Sequence, residues 1–308
     1  MTQEWPDMLV AGAQRVVRVS DGGNSIETFH EGFGQYYGIT WSNDAVYLVG
    51  RGHMPDDEDR IGAESLIGIS AVGQRIVLRG KWQAHQAYYM PAYDVVCVCA
   101  PEREAVVMYN PASGAHHPWV LSSCDADRHH YNSLWSNEHI WLVAHRWGRS
   151  FVHEFDDKLV LKRTHKIGRR AHNVYVQGPL IYMLSSDEHR MVAVRKGTRR
   201  IIKQNSSWGN ALKPEDCWLR GLCRTRDAFY VGISRTSDRA GRCEGSSWVA
   251  KLDEDLKLQD LLEIPGTGQI GDIRVTTGID YAHNRLPFPS IGLESLESEP
   301  AAAMTPGA

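Results

Sequence analysis

Five segments of this chain align on one another without a gap: GITWSNDAVY (38–47), AYYMPAYDVV (87–96), NSLWSNEHIW (132–141), NVYVQGPLIY (173–182) and GLCRTRDAFY (221–230). Each reads as a short strand, a polar or Gly/Pro turn, and a second strand rich in β-branched and aromatic residues. Their starts lie 49, 45, 41 and 48 residues apart. A period of about 40–50 residues filled by short strands is the signature of a β-propeller blade. A third strand follows in each unit (SLIGIS, AVVMYN, SFVHEF, MVAVRK, SWVAKL) and then a fourth (QRIVLRG, HHPWVL, LVLKRTHKIG, RRIIKQN, LQDLLEI). Helical periodicity is nowhere sustained, so a helical fold is disfavoured.

The two ends of the chain complete each other. GDIRVTT (271–277) reads as an inner strand with no second strand after it, whereas DMLVAGA, QRVVRVS and SIETFHE near the start are outer strands lacking an inner one. Joining them closes the ring and removes exposed sheet edges. The expectation is an all-β, six-bladed propeller whose sixth blade combines N-terminal strands with one C-terminal strand. Residues 1–285 form its single domain, and the Pro/Ala/Glu-rich residues 286–308 a disordered tail. Residues 53–64 and 235–244 read as rim loops.

Charge and length narrow the function. With 34 Lys+Arg against 37 Asp+Glu, the balance disfavours a nucleic-acid partner, which requires a basic face. No apolar run reaches the roughly 20 residues of a membrane span. The start MTQEWPDMLVAG lacks a basic n-region and an apolar h-region, and six cysteines without framework spacing read as free thiols. Together these lead to the expectation of a cytoplasmic protein with no membrane partner.

Inner strands of a propeller line a central channel, so the residues at their starts converge from distant parts of the chain. They read GQYYG (34–38), AHQA (84–87), HHYN (129–132), AHN (171–173), LRG (219–221) and GD (271–272). Polar groups satisfying one another is the plain structural reading of any single one. The recurrence of His85, His130, His172, Arg220 and Asp272 at corresponding places in five blades argues for a site.

One reading places a divalent metal ion (Zn, Mn, Fe or Ca) on His85, His130 and His172, with Asp272 or Asn132 beside it. Three imidazoles and an open position make a Lewis acid that activates water. Taking Asn132 as the start of its unit, His85 and His130 stand two residues before such a start, and His172 one. Successive strand residues face opposite sides, so His172 requires a bulge or an early strand end. A second reading needs no metal: His130, His172 or Tyr131 transfers protons while Arg220 holds an anionic group. Tyr36, Tyr37, Asn132, Asn173 and the rim arginines Arg146 and Arg235 then contact the substrate, with Arg51, Arg149 and Arg239 as further rim charges. The sequence holds no G-x-S-x-G, Walker-A or dinucleotide fingerprint, so no nucleotide cofactor is expected. Trp41, Trp135 and Trp141 read as inter-blade core, and His139, His153, His165 and His189 as exposed.

The segments RHHYNSLWSNEHIWLVAHRWGRSFVHEFD, RRAHNVYVQGPLIYMLSS, WLRGLCRTRDAFYVGISR and GQIGDIRVTTGIDYAHN together resemble an uncharacterised bacterial six-bladed propeller family. In that family H-x-N, H-N-V, R-G-L…V-G-I-S and D-I-R motifs open successive blades. The resemblance spans roughly residues 30–284 and implies the fold but no settled activity. More distantly the chain is similar to gluconolactonase-like and strictosidine-synthase-like propellers. The gluconolactonase-like group holds a divalent cation with Glu, Asn and Asp, where this chain has histidines and no inner-strand Glu.

The functional expectation is a metal-assisted hydrolase, lyase or isomerase acting on a small or glycan-like, anionic substrate at the channel mouth. The alternatives are a metal-free biosynthetic enzyme and a non-catalytic binding or scaffold propeller.

Overall fold

The computed structural model describes residues 4–52, 64–122, 127–145, 148–209, 212–237 and 240–291. Its strands form six four-stranded antiparallel sheets arranged in a ring, a six-bladed β-propeller. The first blade is β4 (Gln35–Trp41), β5 (Ala45–Arg51), β6 (Glu64–Ser70) and β7 (Gly73–Gly80). The second is β8 (Ala87–Met90), β9 (Val95–Ala100), β10 (Ala105–Tyr109) and β11 (His116–Val120). The third is β12 (Tyr131–Ser136), β13 (Ile140–Ala144), β14 (Phe151–Phe155) and β15 (Leu161–Lys166). The fourth is β16 (Ala171–Gln177), β17 (Leu180–Ser185), β18 (Arg190–Arg195) and β19 (Ile201–Asn205). The fifth is β20 (Cys217–Arg224), β21 (Phe229–Arg235), β22 (Ser247–Leu252) and β23 (Leu258–Ile264).

The sixth blade is the composite that the sequence calls for. β24 (Asp272–Val275) pairs antiparallel with β1 (Met8–Ala11), from Ala11 opposite Asp272 to Met8 opposite Val275. β2 (Arg15–Ser20) and β3 (Ser25–Glu31) complete it. Zipping the two ends together closes the ring, and the inner strands touch in the cycle β4, β8, β12, β16, β20, β24 and back to β4.

Burial follows position in the blade. Every residue of β4 and β8 is buried, whereas β15, LKRTHK, buries only His165. Inner and middle strands have neighbours on both faces and read as continuous apolar runs. Outer strands keep water on one face and carry charge, which discourages pairing with other chains. Trp41, Trp135 and Trp141 are 0–1% exposed between blades.

Adjacent inner strands approach each other without forming a ladder, so their backbone groups need other partners. A belt of side chains supplies one at every junction. Thr40 Oγ1 accepts from Tyr89 N (2.7 Å), Gln86 Oε1 from Leu134 N (2.7 Å), and Ser133 Oγ from Asn173 N (2.7 Å). Asn132 Nδ2 donates to Ala171 O (2.8 Å) and Asn173 Oδ1 accepts from Gly221 N (2.9 Å). Arg274 Nη1 donates to Leu222 O (3.2 Å), and Asp272 Oδ2 accepts from Ile39 N (3.1 Å).

At one end of the channel the segment after β24 crosses the last residues of the inner strands. Arg224 N donates to Asp280 Oδ1 (3.0 Å), Thr40 Oγ1 bonds His283 Nε2 (2.8 Å), and Trp135 Nε1 donates to Tyr281 O (3.1 Å). Trp41 Nε1 reaches Leu286 O at 3.1 Å, Phe288 lies edge-on to the Trp41 ring, and Ile291 is 8% exposed. Residues 286–291, expected in the tail, therefore pack on the folded domain. Residues 292–308 lie outside the described residues.

Candidate functional site

At the opposite end of the channel, side chains from five blades form a closed circuit. Tyr37 (β4) meets His85, just before β8, at 5.3 Å between ring centroids, and His85 meets His130, just before β12, at 4.8 Å. His130 meets His145, just after β13, at 5.0 Å, and His145 meets His172 (β16) at 4.7 Å. His172 meets Trp218 (β20) at 5.7 Å. The Arg220 guanidinium lies 6.0 Å from the Trp218 ring and 5.4 Å from the Tyr37 ring, which completes the circle. The aromatic contacts are all edge-on, the arrangement that ring quadrupoles favour.

Backbone irregularity aims these side chains inward. The ladders of β12 and β16 slip at Asn132 and Asn173, and that of β20 slips across Arg220 and Gly221. Asn173 has φ +51° and His130 φ +50°, left-handed values that turn the chain at the strand start. The bulge that the position of His172 requires is thus present, directly after His172.

Burial sets the electrostatics. His172 is 4% exposed, His85 6% and Arg220 8%. Burial, reinforced by the Arg220 charge and the other imidazoles, holds His172 far below the usual histidine value. Burial first, then His130 and Arg220, does the same to His85. His145 is pushed down to about 2, again mainly by burial. Three neutral imidazoles therefore face a guanidinium that burial lowers only to about 10, still charged at neutral pH.

The tautomer of His172 follows from its neighbour. Ser186 Oγ donates its single proton to Leu219 O (2.7 Å) and so accepts from His172 Nδ1 (2.8 Å). Nε2 of His172 is left as a lone pair. It is buried without a protein partner, as are His145 Nδ1, Trp218 Nε1 and Arg220 Nε. Among the described residues one carboxylate touches the imidazole set: Asp127, whose oxygens lie 2.7 and 2.8 Å from His130 Nδ1. Beside Tyr37 and Arg220 a cleft of about 10 Å³, lined also by Gln35 and Gln269, has room for one water.

The circuit takes His85, His130, His172, Arg220 and Tyr37 from the expected set and leaves the rest elsewhere. Asp272 is fully buried behind it, at 2.9 Å from Arg274 and accepting from Ile39 N and Ile273 N. It does not join the imidazoles. Asn132 and Asn173 spend their amides on the inter-blade belt. Tyr36 turns to the opposite side of β4, where its hydroxyl bonds His30 Nδ1 (2.8 Å) and accepts from Phe33 N. Tyr131 stacks on His129 in the core. Arg235 lies over Trp248 at an outer corner of the fifth blade. Arg146 and Arg239 fall outside the described residues. Arg51 does reach the mouth, 5.6 Å over Tyr37 and 3.2 Å from Glu64. His165, expected at the surface, is 3% exposed and bonded to Glu154.

Sequence reading missed His145 and Trp218. His145 directly follows the second strand of its blade, at the place that Arg51 holds in the first, outside the inner-strand starts. Trp218 stands two residues before Arg220, a spacing that returns to the same side of a strand.

Among the described residues, no group of three or more His, Cys, Asp or Glu side chains is disposed to hold a metal ion as they stand. No protein-family profile matches the sequence, and a search of curated proteins finds none similar to it. Solved structures do resemble it. A chain of a nidogen/laminin complex aligns with a TM-score of 0.64 at 8% identity, covering 87% of this chain and 97% of that one. A Bacteroides caccae protein of unknown function aligns at 0.61 with 14% identity, covering 87% and 98%. A periplasmic gluconolactonase of Pseudomonas aeruginosa aligns at 0.52 with 13% identity, also covering 87% and 98%. At these identities the likeness shows a shared six-bladed fold; function has to be argued from the site.

Proposed function

We propose that this propeller is an acid–base enzyme of the lyase or isomerase type that acts on a small anionic substrate at its channel mouth. One observation carries the reading: four polar atoms of a single circuit, His145 Nδ1, His172 Nε2, Trp218 Nε1 and Arg220 Nε, are buried without protein partners. Buried polar atoms are normally satisfied, and four unpartnered ones grouped in one circuit call for a water, an ion or a ligand to supply the bonds. The indole N–H and the guanidinium N–H donate to an anion, while the His172 lone pair accepts a proton from the adjacent carbon or hydroxyl. A neutral imidazole with its other nitrogen fixed by a hydroxyl is ready to act as a base.

A covalent nucleophile has less support. Burial pushes the Cys97, Cys99, Cys217 and Cys223 thiols up, and the Ser186 hydroxyl is committed to Leu219 O. Proton transfer, for which the site is furnished, favours elimination or isomerisation over acyl transfer.

The test is exchange of carbon-bound hydrogen in D₂O, read by NMR across a panel of hydroxy, keto and unsaturated carboxylic acids. Exchange or turnover lost in His172→Gln and weakened in Arg220→Gln supports the reading. A panel without exchange, or exchange indifferent to His172→Gln, overturns it and leaves a binding role for the mouth.

A divalent cation on His85, His130 and His172 is the second reading. Asp127 fixes Nδ1 of His130 and Ser186 fixes Nδ1 of His172, the way ligating imidazoles are held by outer partners. Side-chain movement has to bring the free nitrogens to one point, since as they stand they form no such group. A melting temperature raised by Zn²⁺, Mn²⁺, Fe²⁺ or Ca²⁺, and not raised in His130→Ala, supports this reading. No shift with any of the four removes it.

A further inference from the structure

The balanced overall charge hides a steep local imbalance. Residues 158–203, from the outer part of the third blade through the fourth, hold twelve lysines and arginines against two carboxylates. The remainder of the chain holds 22 against 35. Such segregation is not needed for folding, because outer strands stay soluble with mixed charges.

Part of this charge surrounds a groove of about 390 Å³ between the third and fourth blades. Arg149 and Lys166 line it from the third blade, Arg169 from the link to the fourth, and Arg190 and Arg199 from the fourth. Glu188 is the single carboxylate. Glu188 pairs with Arg190 at 2.9 Å, and Asp187 pairs with Arg169 at 3.4 Å. Among the described residues Arg149, Lys166 and Arg199 form no ion pair, and Arg190 Nε is buried without an acceptor. Among the described residues three cations thus lack an anionic partner, Lys166 resting its Nζ 5.9 Å over the Phe151 ring.

The backbone holds this arrangement. Gly168 has φ +66°, and a Cβ there would lie 2.7 Å from Met183 Cε and 2.9 Å from Ser185 Oγ. Only glycine lets the turn between Lys166 and Arg169 sit this close to β17. The fold does not demand the basic lining, however. The groove at the corresponding outer corner of the fifth blade, of about 260 Å³, has Arg235 balanced by Glu244 and Glu263 among serines.

We propose that the groove between the third and fourth blades binds a small ligand bearing two linked oxyanion groups, phosphate or sulfate esters. A single phosphate carries a charge of about −1.5 to −2 at neutral pH, so a linked pair matches the three unpaired cations. Planar guanidinium groups suit such oxygens in paired hydrogen bonds. The volume lies at the small end of ligand pockets, too small for a globular partner. No aromatic side chain lines the groove, so the stacking platform that single-stranded nucleic acid uses is lacking there.

Calorimetric titration of the full chain with inorganic pyrophosphate, and separately with a disulfated disaccharide, tests the site. Saturable binding of at least one probe, one per chain, is expected, and the tighter probe identifies the ester. The exposed triple variant Arg149→Ala/Lys166→Ala/Arg199→Ala weakens it by about tenfold or more. The control triple Arg75→Ala/Arg79→Ala/Lys81→Ala, exposed basic residues at the outer strand of the first blade, leaves it within about twofold, because exposed charges at a distance are screened. Absence of saturable binding by both probes overturns the proposal. So does an equal loss in the control triple, which reveals diffuse attraction. Both triples replace exposed residues, and matching unfolding curves confirm that the comparison is between folded proteins.

Discussion

His172 and Ser186 fix each other's protons: the serine hydroxyl is given to Leu219 O, so the imidazole Nδ1 must donate to it across 2.8 Å. Nitrogen-15 NMR of labelled protein is expected to show His172 as the Nδ1-protonated tautomer. In Ser186→Ala the ring is released, the two tautomers mix, and stability falls by about 1 kcal/mol from the lost hydrogen bond. Any activity at the mouth falls in the same variant through loss of the fixed tautomer. A ring found protonated on Nε2 in the wild-type protein contradicts the assignment.

Neutral buried histidines make stability depend on pH. His85, His145 and His172 are held below the value of about 6.5 that they have in the unfolded chain. Below that pH the unfolded chain takes up protons that the folded protein refuses. The contribution of these rings is therefore whole above pH 6.5 and declines as pH falls. At pH 5 each accounts for at most about 2 kcal/mol. Urea unfolding at pH 7 and pH 5 measures the decline, and His145→Phe reduces its slope. A midpoint constant across that range refutes the buried neutral state.

The architecture was legible because repetition is a property of spacing: five aligned units, and termini that each lacked what the other had, dictate six blades and their closure. The identity of the channel mouth was legible only in part. His85, His130, His172, Arg220 and Tyr37 were found because strand starts converge. Asn132 and Asn173 stand at the same starts and look alike in sequence, yet their amides serve the neighbouring strand's backbone. Which polar residue faces the channel and which crosses to the next blade depends on single-residue slips in β12, β16 and β20. A one-residue slip reverses facing and leaves no mark in composition. His145 was missed for a related reason, since it comes from the end of a second strand, not from the start of an inner one.

Arg220 and Arg51 both bear on the circuit. The Arg220 charge depresses His85, His145 and His172, and the Arg51 charge adds to it at His85. Arg220→Gln is expected to raise the titration of all three rings, with burial still holding them low. Arg51→Gln is expected to raise His85 more than His145 or His172. Histidine NMR titrations of the two variants distinguish this from a general loosening, in which every ring moves in both. Affinity for any anionic ligand of the mouth falls in Arg220→Gln because a buried charge-assisted donor is lost, a change of about 2 kcal/mol.

The belt between inner strands is tested by residues that the sequence made candidates for substrate contact. Asn132→Ala removes the donor to Ala171 O, and Asn173→Ala leaves Gly221 N without its acceptor. Each is expected to destabilise the ring by about 1–3 kcal/mol, the cost of a buried backbone group left unpaired. Gly271→Ala is harsher, because a Cβ there would stand 2.1 Å from Tyr36 O, across the seam between the last blade and the first. That substitution has to push the composite blade away from the ring and is expected to prevent closure, read as loss of a cooperative thermal transition. The two asparagine variants, in contrast, remain folded and keep the depressed titration of His172, because the imidazole circuit does not bond to either amide. If Asn173→Ala unfolded no more easily than the wild-type chain while abolishing activity at the mouth, Asn173 would be a substrate contact and the belt would be incidental to stability.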